Sequence, residues 1–370
     1  MKSVNRKLIT LAGAGVVAAL LAAAATAVSN PPNWAKPQIQ TVVAHGLMGA
    51  SSVRAFKPNA PLTVQTLTDL ASGLNVALGG SAGSPPPDPG GTTTTGTTTT
   101  TTPDGSTGAT MAVLDRKLVG TLGLLPQAKQ FKKAARAAGL KVPPRFGTEV
   151  VARLLGLRTD HPAAQDFLEL RPQDTATRAE AAYSAAQILN FGYLENSWQI
   201  ASVKQLAQDI SLPTLTAWQQ KILDVAVSKI GMPYVWGGTS DTTEAPFGVT
   251  APGGYDCSGF VWRVYKLQSY PDEGNLASVI RGRTTYDMSV EVPASKRIPF
   301  AKLEPADVIF FGSGGPHSSG SEVIHTGIYI GDGWFIHSSG QGVALAQLTG
   351  WYRTEFAWGR RPLREAGLDS

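Results

Sequence analysis

The chain has 370 residues, 42% of them hydrophobic, and a formal net charge of +5. Three basic residues, Lys2, Arg6 and Lys7, lie at the start of the chain. Taking them from the 32 basic residues leaves 29 against 27 acidic ones, a net charge of +2. A balance this close to neutral gives no reason to predict a nucleic-acid partner. The length allows two or more domains, each able to bury its own core.

The first 27 residues have the features of a secretory signal peptide. The basic start is followed by an apolar stretch over residues 8–25, and Ala25-Thr26-Ala27 has the small-residue pattern of a cleavage site. We therefore predict a secreted protein whose mature chain begins at residue 28. The alternative is an uncleaved anchor, because the apolar stretch approaches the length that spans a bilayer. That anchor is the one membrane contact we predict.

Residues 81–109 are rich in proline, threonine and glycine. Such a segment has little apolar surface to offset the entropy that it would lose on ordering. We predict a linker without a chemical role, which separates residues 28–80 from residues 110–213.

The regions on either side of this linker contain a weak internal repeat. Residues 56–63 lead into leucines at helical spacing, and residues 170–177 lead into a second helical segment. In both copies a proline-containing turn precedes a threonine suited to cap the helix, Thr63 or Thr177. A third, poorer copy is predicted from Pro143 to Leu157. The simplest interpretation is a small helical domain.

The second copy contains the string Thr-Arg-Ala-Glu at residues 177–180, which resembles the signature of surface-layer homology repeats. The first and last residues of this string also have the spacing of a capping box. The resemblance implies one copy in residues 28–80 and further copies in residues 110–213, which together would bind secondary cell-wall polymers. The first copy departs from the signature, with Val64 in place of the arginine. A capped helix pair without a ligand therefore stays an alternative.

Residues 214–364 have the pattern of an α+β domain. Apolar residues recur at helical spacing from Trp218 to Ile230, and Gly231-Met232-Pro233 should end that helix. A second helical pattern starts at Cys257, and short β-rich segments follow it. We predict a papain-like arrangement, in which a helix with a cysteine in its first turn packs on an antiparallel sheet. The predicted strands are 308–311, 326–330, 333–338 and 356–358.

Cys257 is the only cysteine of the chain, so no internal disulfide can form, and its presence in an exported protein favours a chemical role. A helix N-terminus stabilises a thiolate, and Asp256 is suited to cap that helix. Histidine is the natural base near neutral pH. His325 and His337 are 12 residues apart, which fits two antiparallel strands joined by a turn at residues 331–333. We therefore expect both rings to face one site.

The region contains five characteristic sequence blocks: Pro233–Gly238, Asp256–Val261, Leu303–Phe311, His325–Gly331 and Ile336-His337. Together these blocks resemble the NlpC-type cell-wall cysteine peptidases. The resemblance implies an endopeptidase that cleaves peptidoglycan stem peptides between D-glutamate and diaminopimelate or lysine. It assigns Cys257 as the nucleophile, His325 as the general base and His337 as the third polar residue.

The same resemblance assigns Tyr234, Asp256 and Ser258 to substrate binding, at positions that hold the free amino end of the stem peptide. An acidic side chain suits this role, since an ammonium group taken out of water needs a partner. The expected partner is therefore the peptidoglycan stem peptide, and the expected location is the cell wall. No cofactor is implied. A metal site of one cysteine and two distant histidines lacks the short paired spacings of structural zinc sites.

Three places depart from the family pattern: the loop of residues 239–253, the insertion at residues 312–323, and Asp287 where glutamine is frequent. All three are expected to line the substrate groove. Two other functions stay open on the sequence. One is a non-catalytic cell-wall-binding or adhesion protein, and the other is an amidase or acyl transferase that acts through Cys257.

Overall fold

The computed structural model describes residues 34–79, 100–101, 107–193 and 197–368. The predicted signal peptide and most of the predicted linker lie outside these ranges. Within them, no helix combines the length and the apolar character needed to cross a bilayer. The helices are α1 Lys36–Ala44, α2 Val64–Ala77, α3 Met111–Thr121, α4 Leu125–Ala137, α5 Phe146–Leu154, α6 Arg178–Leu189, α7 Trp198–Asp209, α8 Ala217–Ser228, α9 Cys257–Trp262, α10 Leu276–Val279, α11 Thr285–Val290, α12 Gly350–Thr354 and α13 Pro362–Glu365.

Short strands and a larger antiparallel sheet complete the fold. The strands are β1 Thr100–Thr101, β2 Thr107–Gly108, β3 Thr239–Ser240, β4 Gly254–Tyr255, β5 Val308–Gly312, β6 Val323–Gly331, β7 Trp334–Ser339, β8 Gly342–Gln347 and β9 Phe356–Arg360. The mainly helical N-terminal region and the α+β C-terminal region are both as predicted.

Three short extended segments meet at the centre of the helical region. The amide of Leu62 donates to the carbonyl of Ala176 at 2.8 Å, and the amide of Ala176 donates to the carbonyl of Ala109 at 2.9 Å. The amide of Ala109 in turn donates to the carbonyl of Leu62 at 2.8 Å. These bonds form a closed backbone ring of three residues, all fully buried. The ring satisfies backbone groups that would otherwise be buried without a partner.

Each segment of the backbone ring leads into a helix capped by threonine. The hydroxyls of Thr63, Thr110 and Thr177 accept hydrogen bonds from the amides three residues later, at 3.1, 3.4 and 3.2 Å. The predicted equivalence of Thr63 and Thr177 is confirmed, and Thr110 is a third equivalent position. Only one half of the predicted capping box forms. The Thr177 hydroxyl accepts from the amide of Glu180, but the Glu180 carboxylate is buried 3.9 Å from the His161 ring.

The third threonine-capped helix does not lie in the predicted third copy. Helix α5, within the predicted copy from Pro143 to Leu157, begins after Arg145 without a side-chain cap. The third segment is instead Ala109-Thr110, at the end of the predicted linker. The sequence did not indicate this segment, because the threonine and glycine residues directly before it look like a continuation of the linker.

The C-terminal sheet has the strand order β8-β7-β6-β5-β9, with every neighbouring pair antiparallel. All four predicted strands are present, with β5, β6 and β9 extending a few residues further than expected. The turn between β6 and β7 has Gly331 and Gly333 at positive φ, a backbone conformation that glycine adopts without strain. The fifth strand, β8, was not predicted. Its Gly-Val-Ala-Leu-Ala-Gln sequence has too few β-branched or aromatic residues to indicate a strand.

Side chains of the helical region hold it directly against the C-terminal domain. The Arg153 guanidinium donates to the carbonyl of Gly231. Gln341, between β7 and β8, donates to the carbonyl of Arg158 at 2.9 Å and accepts from its amide. Both arginines are almost fully buried. These hydrogen bonds join residues far apart in the chain and fix the helical region beside the sheet.

Candidate active site

Helix α9 begins at Cys257, as predicted. Asp256 caps the helix, since its carboxylate accepts a hydrogen bond from the amide of Gly259. The short strand β4 ends directly before this cap, so the cysteine stands where the chain turns from strand to helix. The free amides of a first helical turn make this a favourable place for negative charge.

The Cys257 sulfur lies beside the strand that carries His325. Its Sγ is 3.3 Å from the hydroxyl oxygen of Thr285. The backbone amides of Ser258 and Thr326 also donate to it. Because α9 packs on β6, the thiol and the predicted base face the same space between helix and sheet.

The two histidines meet as their 12-residue spacing predicts. His325 on β6 places Nε2 2.8 Å from Nδ1 of His337 on β7. The His337 ring is buried and packs against the ring of Phe335 at 4.8 Å. Its other nitrogen lies 3.4 Å from the hydroxyl of Tyr352. His337 is thus fixed on both sides and in turn holds the His325 ring.

Burial determines the protonation states at this site. It raises the pKa of the Cys257 thiol, and the Asp256 carboxylate adds to that effect. Burial lowers the pKa of His325 to about 4 and that of His337 well below its usual value. Near pH 7 the resting cleft therefore contains a neutral thiol and a neutral imidazole. This differs from the thiolate that a helix N-terminus alone would favour.

Asp256 and Ser258 belong to a hydrogen-bond network centred on Arg283. The Arg283 guanidinium donates to Ser258 Oγ at 2.7 Å, to the Asp256 carboxylate at 3.3 Å and to the Gly237 carbonyl at 2.9 Å. The Asp256 carboxylate also accepts from the Ser258 hydroxyl and the Gly237 amide, both at 3.0 Å. Asp256 is therefore engaged as a helix cap and as the partner of an arginine.

Five of the six predicted site residues line one cleft of about 820 Å³: Tyr234, Asp256, Cys257, Ser258 and His325. The sixth, His337, is buried behind His325. The rim carries exposed apolar side chains, with Trp236, Phe247 and Ile324 each more than half exposed. Among the residues that the structure describes, no group of three or more His, Cys, Asp or Glu side chains is arranged to hold a metal ion.

The loops expected to line the groove do so only in part. Phe247, from the loop of residues 239–253, and Thr284–Tyr286 line the cleft. Asp287 does not. Its carboxylate accepts from the Thr284 hydroxyl at 2.7 Å and caps α11. One further wall comes from residues 160–166 of the helical region. No local sequence pattern indicates that wall, because only tertiary packing brings it to the cleft.

Gly259 fixes how closely α9 approaches the loop before β3. A Cβ at this position would lie 1.9 Å from the carbonyl oxygen of Gly238. We expect Gly259→Ala to lower the free energy of unfolding by about 3 kcal/mol, since backbone must move to relieve the clash. Cleavage activity should fall with it. Chemical denaturation measures the first effect and product formation the second.

Gly120→Ala is the matched control for Gly259→Ala. Gly120 is also helical, and a Cβ there would make an ordinary contact at 3.6 Å with Leu125. This variant should be as stable as the wild type or up to about 1 kcal/mol more stable. Equal stability of the two variants would show that the approach at Gly259 is not tight.

The NlpC/P60 family profile matches residues 231–361. The probable peptidoglycan endopeptidase LytE of Bacillus subtilis is 33% identical over 133 residues, which cover 36% of this chain and 30% of LytE. The murein DD-endopeptidase MepH of Escherichia coli is 31% identical over 153 residues, 40% of this chain and 48% of MepH. A gamma-D-glutamyl-L-lysine dipeptidyl-peptidase of Bacillus subtilis is 28% identical over 131 residues, 35% of each protein.

This chain thus spans less than half the length of each of these relatives. The matched segment contains α9, the five-stranded sheet and all six predicted site residues. The helical region lies outside it. The segment of residues 231–361 is therefore an NlpC/P60 domain.

Proposed function

We propose that this protein is a secreted, cell-wall-associated cysteine endopeptidase that hydrolyses peptidoglycan stem peptides. The observation that carries the proposal is that Cys257 and His325 line one open cleft, with the thiol at a helix N-terminus and the His325 ring bonded to the buried His337. The relatives named above as peptidoglycan endopeptidases support the choice of substrate.

The proposed reaction begins with a neutral thiol and a neutral base. Because His325 Nε2 faces His337, Nδ1 is the nitrogen that would take the thiol proton as sulfur attacks the peptide carbonyl carbon. A carbon–sulfur bond forms, the carbon–nitrogen bond breaks, and the imidazolium returns its proton to the leaving amine. Water then hydrolyses the thioester, with His325 again as the base, to release a carboxylate and the free thiol. His337 orients the ring throughout, as the third member of a triad does.

The bond that we propose joins the side-chain carboxyl of D-glutamate to diaminopimelate or lysine. The resemblance of the five sequence blocks supports this bond, as does the name of the gamma-D-glutamyl-L-lysine dipeptidyl-peptidase. Other relatives bear names with other bonds, such as the DD-endopeptidase of Escherichia coli. Tyr234, Asp256 and Ser258, all at the cleft, are proposed substrate contacts.

The helical region is proposed to hold the enzyme at the wall by binding secondary wall polymers. The three threonine-capped helices around the backbone ring support a repeat architecture of the surface-layer type. Arg178 of the signature is engaged internally, since it donates to the carbonyls of Phe56 and Met48 at 2.8 and 2.9 Å. Sedimentation of the protein with intact walls, compared with walls stripped of these polymers, tests the anchoring. Cell fractionation tests the location.

Mass spectrometry of muropeptides tests the proposed reaction. Incubation of the protein with peptidoglycan should release fragments that begin with the free amino group of diaminopimelate or lysine. Because Cys257 is the only cysteine, treatment with iodoacetamide should block that one thiol and abolish the release. Unchanged muropeptides before and after incubation would contradict the proposal and favour a wall-binding protein without activity. Cleavage at the amide that joins peptide to glycan would indicate an amidase instead.

A further inference from the structure

The segment of residues 116–148 carries a concentrated positive charge. It contains eight lysines and arginines and no acidic residue, although the whole chain has 32 basic and 27 acidic residues. Asp115 and Glu149 border the segment, and both are fully buried. They pair inside the fold with Arg158 and Arg153. Neither carboxylate therefore reaches the surface to neutralise this charge.

Four of these cations share one face of helix α4, which we call its basic face. At intervals of three or four residues, they are Lys129, Lys132, Lys133 and Arg136. They line one surface groove of about 600 Å³. Among the described residues, no carboxylate forms an ion pair with any of the four. Burial lowers the pKa of Lys132, and the charges of Arg136 and Arg116 lower it further, as expected of crowded cations.

The other side of α4 packs on the NlpC/P60 domain. Phe131 is fully buried, and its ring meets the ring of Trp334 edge-on at 6.0 Å. Trp334 is the first residue of β7, the strand that also carries His337. The basic face and the catalytic cleft have no lining residue in common. A ligand on the basic face would therefore leave the cleft free and keep the catalytic domain close to that ligand.

The composition of the basic face favours a soluble polyanion over a membrane or a nucleic acid. Helix α4, which the structure describes in full, exposes no large apolar side chain that could enter a bilayer. The residues that line the groove include no aromatic ring on which a base could stack. Their spacing places successive cations about 5 Å apart along the helix axis, which suits a chain with one anion on each unit.

We propose that the basic face of α4 binds a cell-wall polyanion in which phosphodiester groups recur along the chain. Three of the four cations are lysines, which contact phosphate as point charges, whereas a carboxylate is matched best by the planar fork of arginine. The inference rests on the proposed function, because it assumes a protein at the wall. It also assigns the polymer contact to α4, since Arg178 of the repeat signature is engaged with backbone carbonyls.

Sedimentation with purified walls tests the inference without catalysis. The protein is the full chain with Cys257→Ala, and the walls are either intact or treated with hydrofluoric acid, which removes phosphodiester-linked polymers. Lys129→Gln, Lys133→Gln and Arg136→Gln together should raise Kd for intact walls about 30-fold at about 0.1 M salt. The parent should bind less tightly as salt rises, and the triple variant should lose most of that dependence. Treated walls should bind both proteins equally weakly.

The matched control removes the same charge elsewhere. Arg54→Gln, Lys296→Gln and Lys302→Gln change exposed residues outside the groove and should leave Kd within about twofold. Equal weakening by both triple variants overturns the inference, because net charge alone would then explain the binding. Full retention on the treated walls also overturns it. Tighter binding of the parent to phosphatidylglycerol vesicles or duplex DNA than to intact walls would assign the basic face to a membrane or a nucleic acid instead.

Cleavage of the soluble tripeptide L-Ala-γ-D-Glu-L-Lys separates this inference from the proposed reaction. With Cys257 intact, the basic-face triple variant should cleave the tripeptide at the wild-type rate, because its substitutions lie outside the cleft. If the wild type leaves the tripeptide uncut while wall binding depends on the basic face, the reaction fails and this inference stands. If the wild type cuts it and the triple variant binds intact walls like its parent, the reaction stands and this inference fails.

Discussion

Replacing Cys257 with alanine is expected to lower the rate of stem-peptide cleavage by about 10⁴-fold or more. The thiol is the one nucleophile in the proposed reaction, and neither its neighbour Thr285 nor the two histidines can replace it. The fold should survive, because Cys257 is a small, partly exposed residue and its one side-chain hydrogen bond is to a hydroxyl at 3.3 Å. Steady-state release of the amino product measures the rate, and thermal unfolding measures the fold.

Cys257→Ser is the companion variant, since it keeps a hydrogen-bonding group of similar size beside Thr285. It should be almost as inactive as the alanine variant, because a serine hydroxyl gives up its proton far less readily than a thiol. Both variants should unfold within about 2 °C of the wild type. A variant that lacks the thiol and retains full cleavage would exclude the thiol mechanism.

Replacing His325 with alanine is expected to lower kcat by about 10²–10⁴-fold, the range typical for loss of a general base. The pKa of His325 is lowered by burial to about 4. The ring accepts a proton only while it is neutral, so it stays competent as pH falls from 7 to 5 and loses function through about pH 4. The wild-type kcat should follow this course when measured from pH 3.5 to 8.

His317→Ala is the matched control, because that histidine is exposed in the loop between β5 and β6 and does not line the cleft. Its kcat and pH profile should equal those of the wild type.

The buried, neutral His325 also makes the fold less stable in acid. Below about pH 6.5 the unfolded chain binds a proton at this histidine more readily than the folded chain does, so the free energy of unfolding falls. Unfolding should therefore be followed at each pH. A wild-type kcat that halves near pH 6.5 in folded protein would mean that the base is not the buried His325.

Much of the site follows from local sequence patterns. Cys257 follows a capping residue and precedes apolar residues at helical spacing, so the start of α9 is predictable from the sequence. The strands that carry His325 and His337 have β-branched or aromatic residues and a glycine-rich turn between them. Local propensity and the final fold agree at these places, which is why the histidine pair is predictable.

The rest depends on contacts between distant parts of the chain. The pairing of Arg283 with Asp256 joins a loop to a helix cap, and no spacing indicates it. Tyr352 reaches His337 from a helix after β8, a strand that the sequence did not predict. The cleft wall of residues 160–166 belongs to a different region altogether. Tertiary packing, and not local propensity, decides all of these positions.

The backbone ring of Leu62, Ala109 and Ala176 limits how many extended segments can pair at the centre of this region. Each of the three residues donates one amide hydrogen bond and accepts one at its carbonyl, so the backbone ring has no open edge where another segment could pair. Solenoid arrays lengthen by stacking one more unit on an exposed end. Here the three segments already occupy every pairing position of the ring, so it closes at three threonine-capped helices.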